Sequence, residues 1–355
     1  MQIRKALFFG VLAWFIYTYL HDPRIHVVDN VINKAISFFS FFSPNHLLTY
    51  PRDADKIATL RSINNYLIGQ VVRFNAHPDD LQWAEFNATR KKFDIDGPHG
   101  PIPVTMLIPK IESEKPFPLF IYYHGGGMVF GEAEDALMYM LGRNGNGIAV
   151  GVDYRLAPES PFPKGVLDCY TVLRYLVDHS SDFNIDPNRV IVSGASAGGL
   201  MASVSAALSV HGYGDEAPKL KYPLAGQILI FPVLEYPGAR HQSWLEFSHM
   251  GALSAQQMHW FWQMYTHPSD RSCSDYLCHP MELTKEELSK LPPAVIFTAS
   301  ADVLRDEGRK YHRMLVDAGV NSQHFEGRGT HLGAGIFDAE TVQKTLAAGI
   351  ELIKK

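Results

Sequence analysis

Only three cysteines occur in 355 residues: Cys169, Cys273 and Cys278. A count that is low and odd excludes a fold stapled by several disulfides. Cys273 and Cys278 are near enough in sequence to bridge in an oxidising compartment; three free thiols packed as small apolar groups is the alternative. A dominant charge is also lacking. Lys and Arg number 32, Asp and Glu 37, and no basic run occurs, so nothing points to nucleic acid as a partner. There is no low-complexity tract and no internal repeat. None of the 16 histidines falls in an HExxH pattern and no paired CxxC occurs, so the sequence implies no metal.

Apolar residues, by contrast, make up 46% of the chain, enough for one large core. They are concentrated first at the N-terminus. After Arg4 and Lys5 an apolar and aromatic stretch runs from Ala6 to Leu20 and ends at His21, Asp22 and Pro23. At about 1.5 Å per residue it is slightly short for a bilayer of about 30 Å, but flanking side chains can snorkel. No small-x-small cleavage site follows, so residues 1–23 read as a membrane anchor rather than a cleaved signal. The positive residues ahead of the run leave the N-terminus cytosolic and send the rest across the membrane. In a eukaryote this predicts a single-pass type II protein of the endoplasmic reticulum with a lumenal domain. Asn87-Ala88-Thr89 is an N-glycosylation sequon, usable on that side.

A second apolar stripe, Val28, Val31, Ile32, Ala35, Ile36, Phe39 and Phe42, recurs at helical spacing before Pro44. Residues 24–83 therefore read as a helical cap segment, and 84–355 as the main domain. Within it strands are expected over Pro118–Tyr123, Ile148–Tyr154, Val190–Ser193, Gln227–Val233 and Ala294–Thr298, with a further segment over Gln323–Glu326. Helices are expected over Val166–Val177, from Leu200 to Ser209, over Arg305–Ala318 and over Ala339–Ile353. Strands alternating with helices predict an α/β fold with a mostly parallel sheet covered on both faces. About residues 235–291 the rhythm breaks. This stretch, rich in Trp, Met, His and Tyr, reads as an insertion over the carboxyl edge of the sheet, where open α/β folds bind ligands.

The chemistry is carried by three separated patterns. Gly194-Ala195-Ser196-Ala197-Gly198-Gly199 lies between an expected strand and an expected helix, the context that gives GxSxG its meaning as a nucleophile turn. His124-Gly125-Gly126-Gly127 ends an earlier strand. Its glycines allow backbone amides to approach a carbonyl, so Gly125 and Gly126, with Ala197, are the candidate oxyanion hole. A serine needs a base, and the base needs orienting. In the chain order of this fold Asp302 follows the Ala294–Thr298 strand and His331 lies in a glycine-rich loop after Gln323–Glu326. Asp306 and Glu307 are rival acids already inside the next helix; His312 and His324 are rival bases inside a helix and a strand. Ser196, His331 and Asp302 as nucleophile, base and orienting acid predict acyl transfer without a cofactor.

Together, HGGG, Asp153-Tyr154-Arg155-Leu156-Ala157-Pro158-Glu159, GASAGG and Ala301-Asp302-Val303-Leu304-Arg305-Asp306-Glu307-Gly308 resemble the hormone-sensitive-lipase group of α/β hydrolases from about residue 115 onward. With its apolar N-terminus the chain is similar to the arylacetamide deacetylases and neutral cholesterol ester hydrolases of that group. The resemblance implies a membrane-anchored hydrolase of small lipophilic esters or amides. A neutral lipid or cholesteryl ester lipase, and a non-catalytic receptor on the same fold, are the alternatives. The resemblance also carries the three roles onto Ser196, Asp302 and His331. Two positions depart from it: Ala195 where the group commonly has Asp, and Val303 where it usually has Pro.

Overall fold

The structure, a computed structural model, describes Ile57, Arg61, Asp79 and residues 82–235, 241–248, 253–266, 276–331, 333–334 and 338–354. The expected anchor over 1–23 and the apolar stripe from Val28 to Phe42 lie outside the described residues. Among the described residues no helix is long and apolar enough to cross a membrane.

Eight strands form one sheet among the described residues: β1 (Ala88–Gly97), β2 (Gly100–Pro109), β3 (Phe117–Tyr123), β4 (Ile148–Val152), β5 (Ile185–Ala195), β6 (Gly226–Ile230), β7 (Ala294–Ala299) and β8 (Ser322–Gly327). Their spatial order is β1-β2-β4-β3-β5-β6-β7-β8. From β4 to β8 every pair is parallel, while β1 and β2 are antiparallel. The α-helices among the described residues are α1 (Ala136–Gly145), α2 (Lys164–Asp178), α3 (Ala197–His211), α4 (Gln242–Glu246), α5 (Ala255–Thr266), α6 (Lys285–Leu288), α7 (Arg305–Asp317) and α8 (Ala339–Ile350).

The central strands are buried on both faces, which is why they read as continuous apolar runs. Alternate residues of β3 serve different cores. Leu119, Ile121 and Tyr123 pack with α2, α3 and α7, and Phe120 and Tyr122 pack with α1 and α8. Both faces are thus covered, and the sheet's carboxyl edge is left for the loops that carry chemistry.

Several elements differ from their expected bounds. The β1–β2 hairpin has no counterpart in the sequence reading. Arg90, Lys91 and Lys92 lie exposed on β1, and Ala88 and Ile95 are its fully buried residues. An edge strand that buries so little leaves no apolar alternation to read. Expected strand Ile148–Tyr154 ends instead at Val152, and Gln227–Val233 ends at Ile230. The apolar run continues past β6 because residues 231–234 are a buried loop beside Ser196, entered through Phe231 at φ 35°. Conversely β5 extends back to Ile185 through Asp186, Pro187 and Asn188, whose polar, turn-like composition masked it. Helix α3 begins at Ala197 rather than Leu200. Gly198 and Gly199 are poor helix formers, so composition hides the first turn. Their small size is what the packing demands: a Cβ on Gly198 would stand 1.9 Å from the Tyr123 carbonyl oxygen.

Cys169 is free and buried in α2, whereas Cys278 is disulfide-bonded; Cys273 lies outside the described residues. Among the described residues no group of three or more His, Cys, Asp or Glu could hold a metal ion.

Candidate active site

Strand register brings the sequence motifs to one edge. Gly194 of β5 lies opposite Tyr123 of β3, and Ala195 lies opposite Ile230 of β6. The residues that follow β3, β5, β7 and β8 therefore emerge side by side: His124, Ser196, Asp302 and His331.

Ser196 sits at φ 56° and ψ −118°, a conformation that side-chain-bearing residues rarely adopt. Surrounding backbone enforces this turn. Ser196 N–H donates to the Ile230 carbonyl at 2.9 Å, and the Ser196 carbonyl accepts from Gly199 at 2.9 Å and Val233 at 3.0 Å. A Cβ on Gly194 would lie 2.1 Å from the Gly198 oxygen, so the turn closes only with glycine there. Ser196 is the N-cap of α3, yet its hydroxyl makes no capping bond. It faces His331 Nε2 at 3.0 Å instead.

His331 Nδ1 lies 2.7 Å from Asp302 Oδ2, and Asp302 Oδ1 accepts the Leu304 N–H at 3.0 Å. Both side chains are buried. An N–H on Nδ1 facing a carboxylate leaves Nε2 as the lone pair that can accept the serine proton. The loops that bring the pair together are laced across the ends of β7 and β8. Ser300 N donates to the Gly327 carbonyl at 2.9 Å, Ala301 N to that of Gly329 at 2.8 Å, and Gly329 N to Ser300 Oγ at 3.2 Å. On its far side the His331 ring meets the Phe231 ring, centroids 4.6 Å apart.

Opposite the serine, the HGGG turn uses conformations open to glycine, with Gly126 at φ 109° and Gly127 at φ 62°, and Met128 follows at φ 63°. The amides of Gly125 and Gly126 make no hydrogen bond to any described residue. Ala197, as the first residue of α3, has an amide without an intrahelical acceptor. These are three donors beside Ser196, reinforced by the positive end of α3. His124 is not a second base. Its Nδ1 lies 2.7 Å from the Gly125 carbonyl, its ring stacks on Tyr154 at 4.2 Å, and burial pushes its pKa down to about 4. A neutral ring therefore fills the space under the turn, and Tyr154 Oη donates to the His124 carbonyl at 2.8 Å.

The rival residues have other tasks. Asp306 Oδ2 accepts from Ser243 N at 2.8 Å and its Oδ1 pairs with Arg305 at 2.8 Å. Glu307 is fully buried and holds the loop after β6 by accepting from Leu234 N at 3.1 Å and Glu235 N at 2.8 Å; burial raises its pKa well above the usual range. His312 lies in α7 against Ser322 Oγ, and His324 in β8 against Thr298 Oγ1. Burial lowers the His324 pKa to about 4.

A family model described as alpha/beta hydrolase fold matches residues 120–333, more than half of the chain. This protein belongs to the α/β-hydrolase family. Among its curated relatives, a carboxylic ester hydrolase of Mycobacterium tuberculosis is 35% identical over 232 residues, covering 64% of this chain and 59% of the relative. A putative alpha/beta hydrolase of Acanthamoeba polyphaga mimivirus is 33% identical over 228 residues, covering 64% and 63%. The chain thus spans about three-fifths of the length of these relatives. A thermostable esterase from Pseudomonas putida superposes with a TM-score of 0.73 at 25% identity, covering 93% of this chain and 96% of that one.

Sequence reading of this α/β hydrolase missed the residues that hold the site rather than form it. Arg305 spans from the Ser300 carbonyl (3.2 Å) to Glu246 (3.3 Å) and lies 4.9 Å over the Phe247 ring. Ser243 Oγ donates to the Val303 carbonyl at 2.7 Å. The insertion is thereby fastened to the turn that presents Asp302, and Val303 itself is buried. Arg305 and Glu307 lie within the motif around Asp302, so that motif was the available signal.

Proposed function

We propose that the protein is a serine carboxylic ester hydrolase working through an acyl-enzyme. The observation that carries this reading is the chain Ser196 Oγ–His331 Nε2, His331 Nδ1–Asp302 Oδ2 facing the unpaired amides of Gly125 and Gly126 and the N-terminal amide of α3. Ser196 attacks the ester carbonyl while His331 takes its proton; Asp302 holds the imidazole in the accepting tautomer and stabilises the imidazolium. The tetrahedral oxyanion is met by Gly125, Gly126 and Ala197, and His331 returns the proton to the leaving alcohol. Water activated by His331 then releases the acid. Every step uses this chain's own residues.

The substrate class we assign is small lipophilic esters, with aryl acetamides in range. Helix α5 of the insertion supports this by setting an aromatic wall on the oxyanion turn. Phe261 packs so closely on Gly127 that a Cβ there would stand 2.2 Å from its ring, and Phe130 meets both Phe261 (5.8 Å) and Trp260 (5.9 Å). Such a wall accepts apolar groups and offers little to charged ones. Expected in a p-nitrophenyl ester series is turnover of acetate and butyrate well above hexadecanoate, with slower cleavage of phenacetin-type aryl acetamides. Hexadecanoate as the fastest substrate would assign a lipid lipase instead, and no turnover of any ester would leave a receptor.

We further propose that this domain lies in the endoplasmic reticulum lumen, tethered by residues 1–23. Support comes from Arg4 and Lys5 ahead of the apolar run, the bonded Cys278, and the exposure of Asn87 in its sequon. Carbonate-washed vesicles should keep the protein in the pellet, shield it from added protease, and show a lower mass after endoglycosidase. Protease sensitivity in sealed vesicles would reverse the orientation, and carbonate release would remove the anchor.

A further inference from the structure

The oxyanion turn is braced by a residue that belongs neither to its own segment nor to the sheet. Arg61 is helical, and Ile57, one helical turn before it, is fully buried in the main core. The Arg61 guanidinium reaches two buried carbonyls. Its Nε donates to the Val129 oxygen at 2.7 Å and its Nη2 to the Ala157 oxygen at 3.1 Å. Among the described residues no other donor reaches either carbonyl. The outer edge of the same guanidinium forms a two-pronged pair with Glu159, Nη1–Oε1 at 3.1 Å and Nη2–Oε2 at 2.9 Å.

These bonds close a ring around the turn. Val129 N and Phe130 N both donate to the Gly126 carbonyl, at 3.1 and 2.9 Å, and Ala157 N donates to the Met128 carbonyl at 2.8 Å. Met128 sits at φ 63°, a conformation that costs a residue with a side chain, so the turn has a tendency to relax there that these bonds oppose. The Gly126 carbonyl is fixed from within by Val129 and Phe130, whereas the Val129 and Ala157 carbonyls depend on Arg61. Tyr154 and His124 hold the carbonyls of the peptide units that carry the Gly125 and Gly126 amides, and Arg61 fixes the far end of the same turn through Val129 and Ala157.

We propose that Arg61 is a positioning residue of the oxyanion hole, aligning the Gly125 and Gly126 amides by clamping the 126–130 turn to the 157–159 turn. It touches no substrate and acts through the Val129 and Ala157 carbonyls and its pair with Glu159. A planar fork is required, because two carbonyls and a carboxylate must be met in fixed directions; a lysine ammonium can satisfy only part of this set. Catalysis is therefore coupled to the placement of Arg61 against the Val129 and Ala157 carbonyls.

This inference rests on the serine hydrolase reading, and the test separates the two. The full chain and its Arg61→Ala and Arg61→Lys variants are titrated for active sites with a fluorophosphonate, so that every rate is per competent serine. Wild-type turnover of p-nitrophenyl butyrate judges the esterase reading. The ratio of variant to wild type judges this one, in ester turnover and in the second-order rate of fluorophosphonate labelling, which reports the oxyanion hole without needing an ester substrate. For Arg61→Ala we expect kcat to fall on the order of 10–100-fold, the scale of a slightly misplaced reacting group. KM should stay within about threefold, because the lost interaction is made only in the transition state. Inhibition by a trifluoromethyl ketone, which forms a tetrahedral adduct, should weaken by the same factor as kcat/KM. Arg61→Lys should fall between the two, and it supplies the reading if the alanine variant does not accumulate. Wild-type kcat and labelling rate per titrated serine in either variant would overturn the proposal. So would a loss confined to KM, or a fall in kcat that leaves the ketone inhibition constant unchanged.

Discussion

Ser196→Ala should abolish covalent labelling by a fluorophosphonate and reduce ester turnover by about 10⁶-fold, the scale on which another serine hydrolase loses kcat when its nucleophile is removed. The loss is large because nothing else at the site can form an acyl-enzyme. His331 Nε2 and Asp302 would remain in place, with only water between the base and the carbonyl. Residual catalysis of about 10³–10⁴ over water is expected to survive, supplied by the oxyanion donors and by binding. The fold should be unaffected. The Ser196 hydroxyl caps no helix, and alanine meets the same φ of 56° with no larger side chain, so the melting temperature should stay near that of the wild type. Any retained labelling, read by gel fluorescence and intact mass, would move the nucleophile elsewhere.

Asp302→Asn is the second large effect, about 10⁴-fold in kcat, by analogy with the same exchange in a serine protease. The carboxylate at 2.7 Å from Nδ1 selects the tautomer. An asparagine that turns its NH₂ toward Nδ1 holds the proton on Nε2 instead, where it blocks proton transfer from Ser196 Oγ. Neighbouring carboxylates provide the comparison. Asp306→Asn weakens the bond from Ser243 N and the pair with Arg305, neither of which includes the imidazole, so its loss should stay within about tenfold. Glu307→Gln keeps an oxygen for Leu234 N and Glu235 N and replaces a carboxyl whose pKa burial raises, so its loss should be similarly small. Steady-state kinetics on the three variants decide the matter. A larger fall for Asp306→Asn or Glu307→Gln than for Asp302→Asn would show that the imidazole is oriented by a different acid.

Legibility followed the range over which each feature is determined. The nucleophile turn and HGGG were readable because their geometry is imposed within a few residues. Gly194 and Gly198 must lack a Cβ where backbone passes at 2.1 and 1.9 Å, and that demand is written directly into residue type. The central strands were readable because burial on both faces turns them into apolar runs, although burial alone does not mark their ends. It overextended β6 into the loop that Phe231 turns, and it gave no sign of the exposed β1–β2 edge. Insertion 235–291 was visible as a break in rhythm, but its attachment through Ser243 and Arg305 to the Asp302 turn was not.

By itself the sequence determined the α/β alternation, the strained serine turn, the glycine-lined donor turn and the order in which acid and base follow. Each of these is a local steric or periodic requirement that leaves a mark in neighbouring residues. Only the tertiary structure decided that Tyr154 and His124 lock together beneath the HGGG turn and that Arg61 braces that turn from outside the sheet. Those pairings depend on strand register and on side chains meeting across long stretches of chain. No residue type or spacing encodes them, because the partners become neighbours only when the sheet has brought its carboxyl ends together.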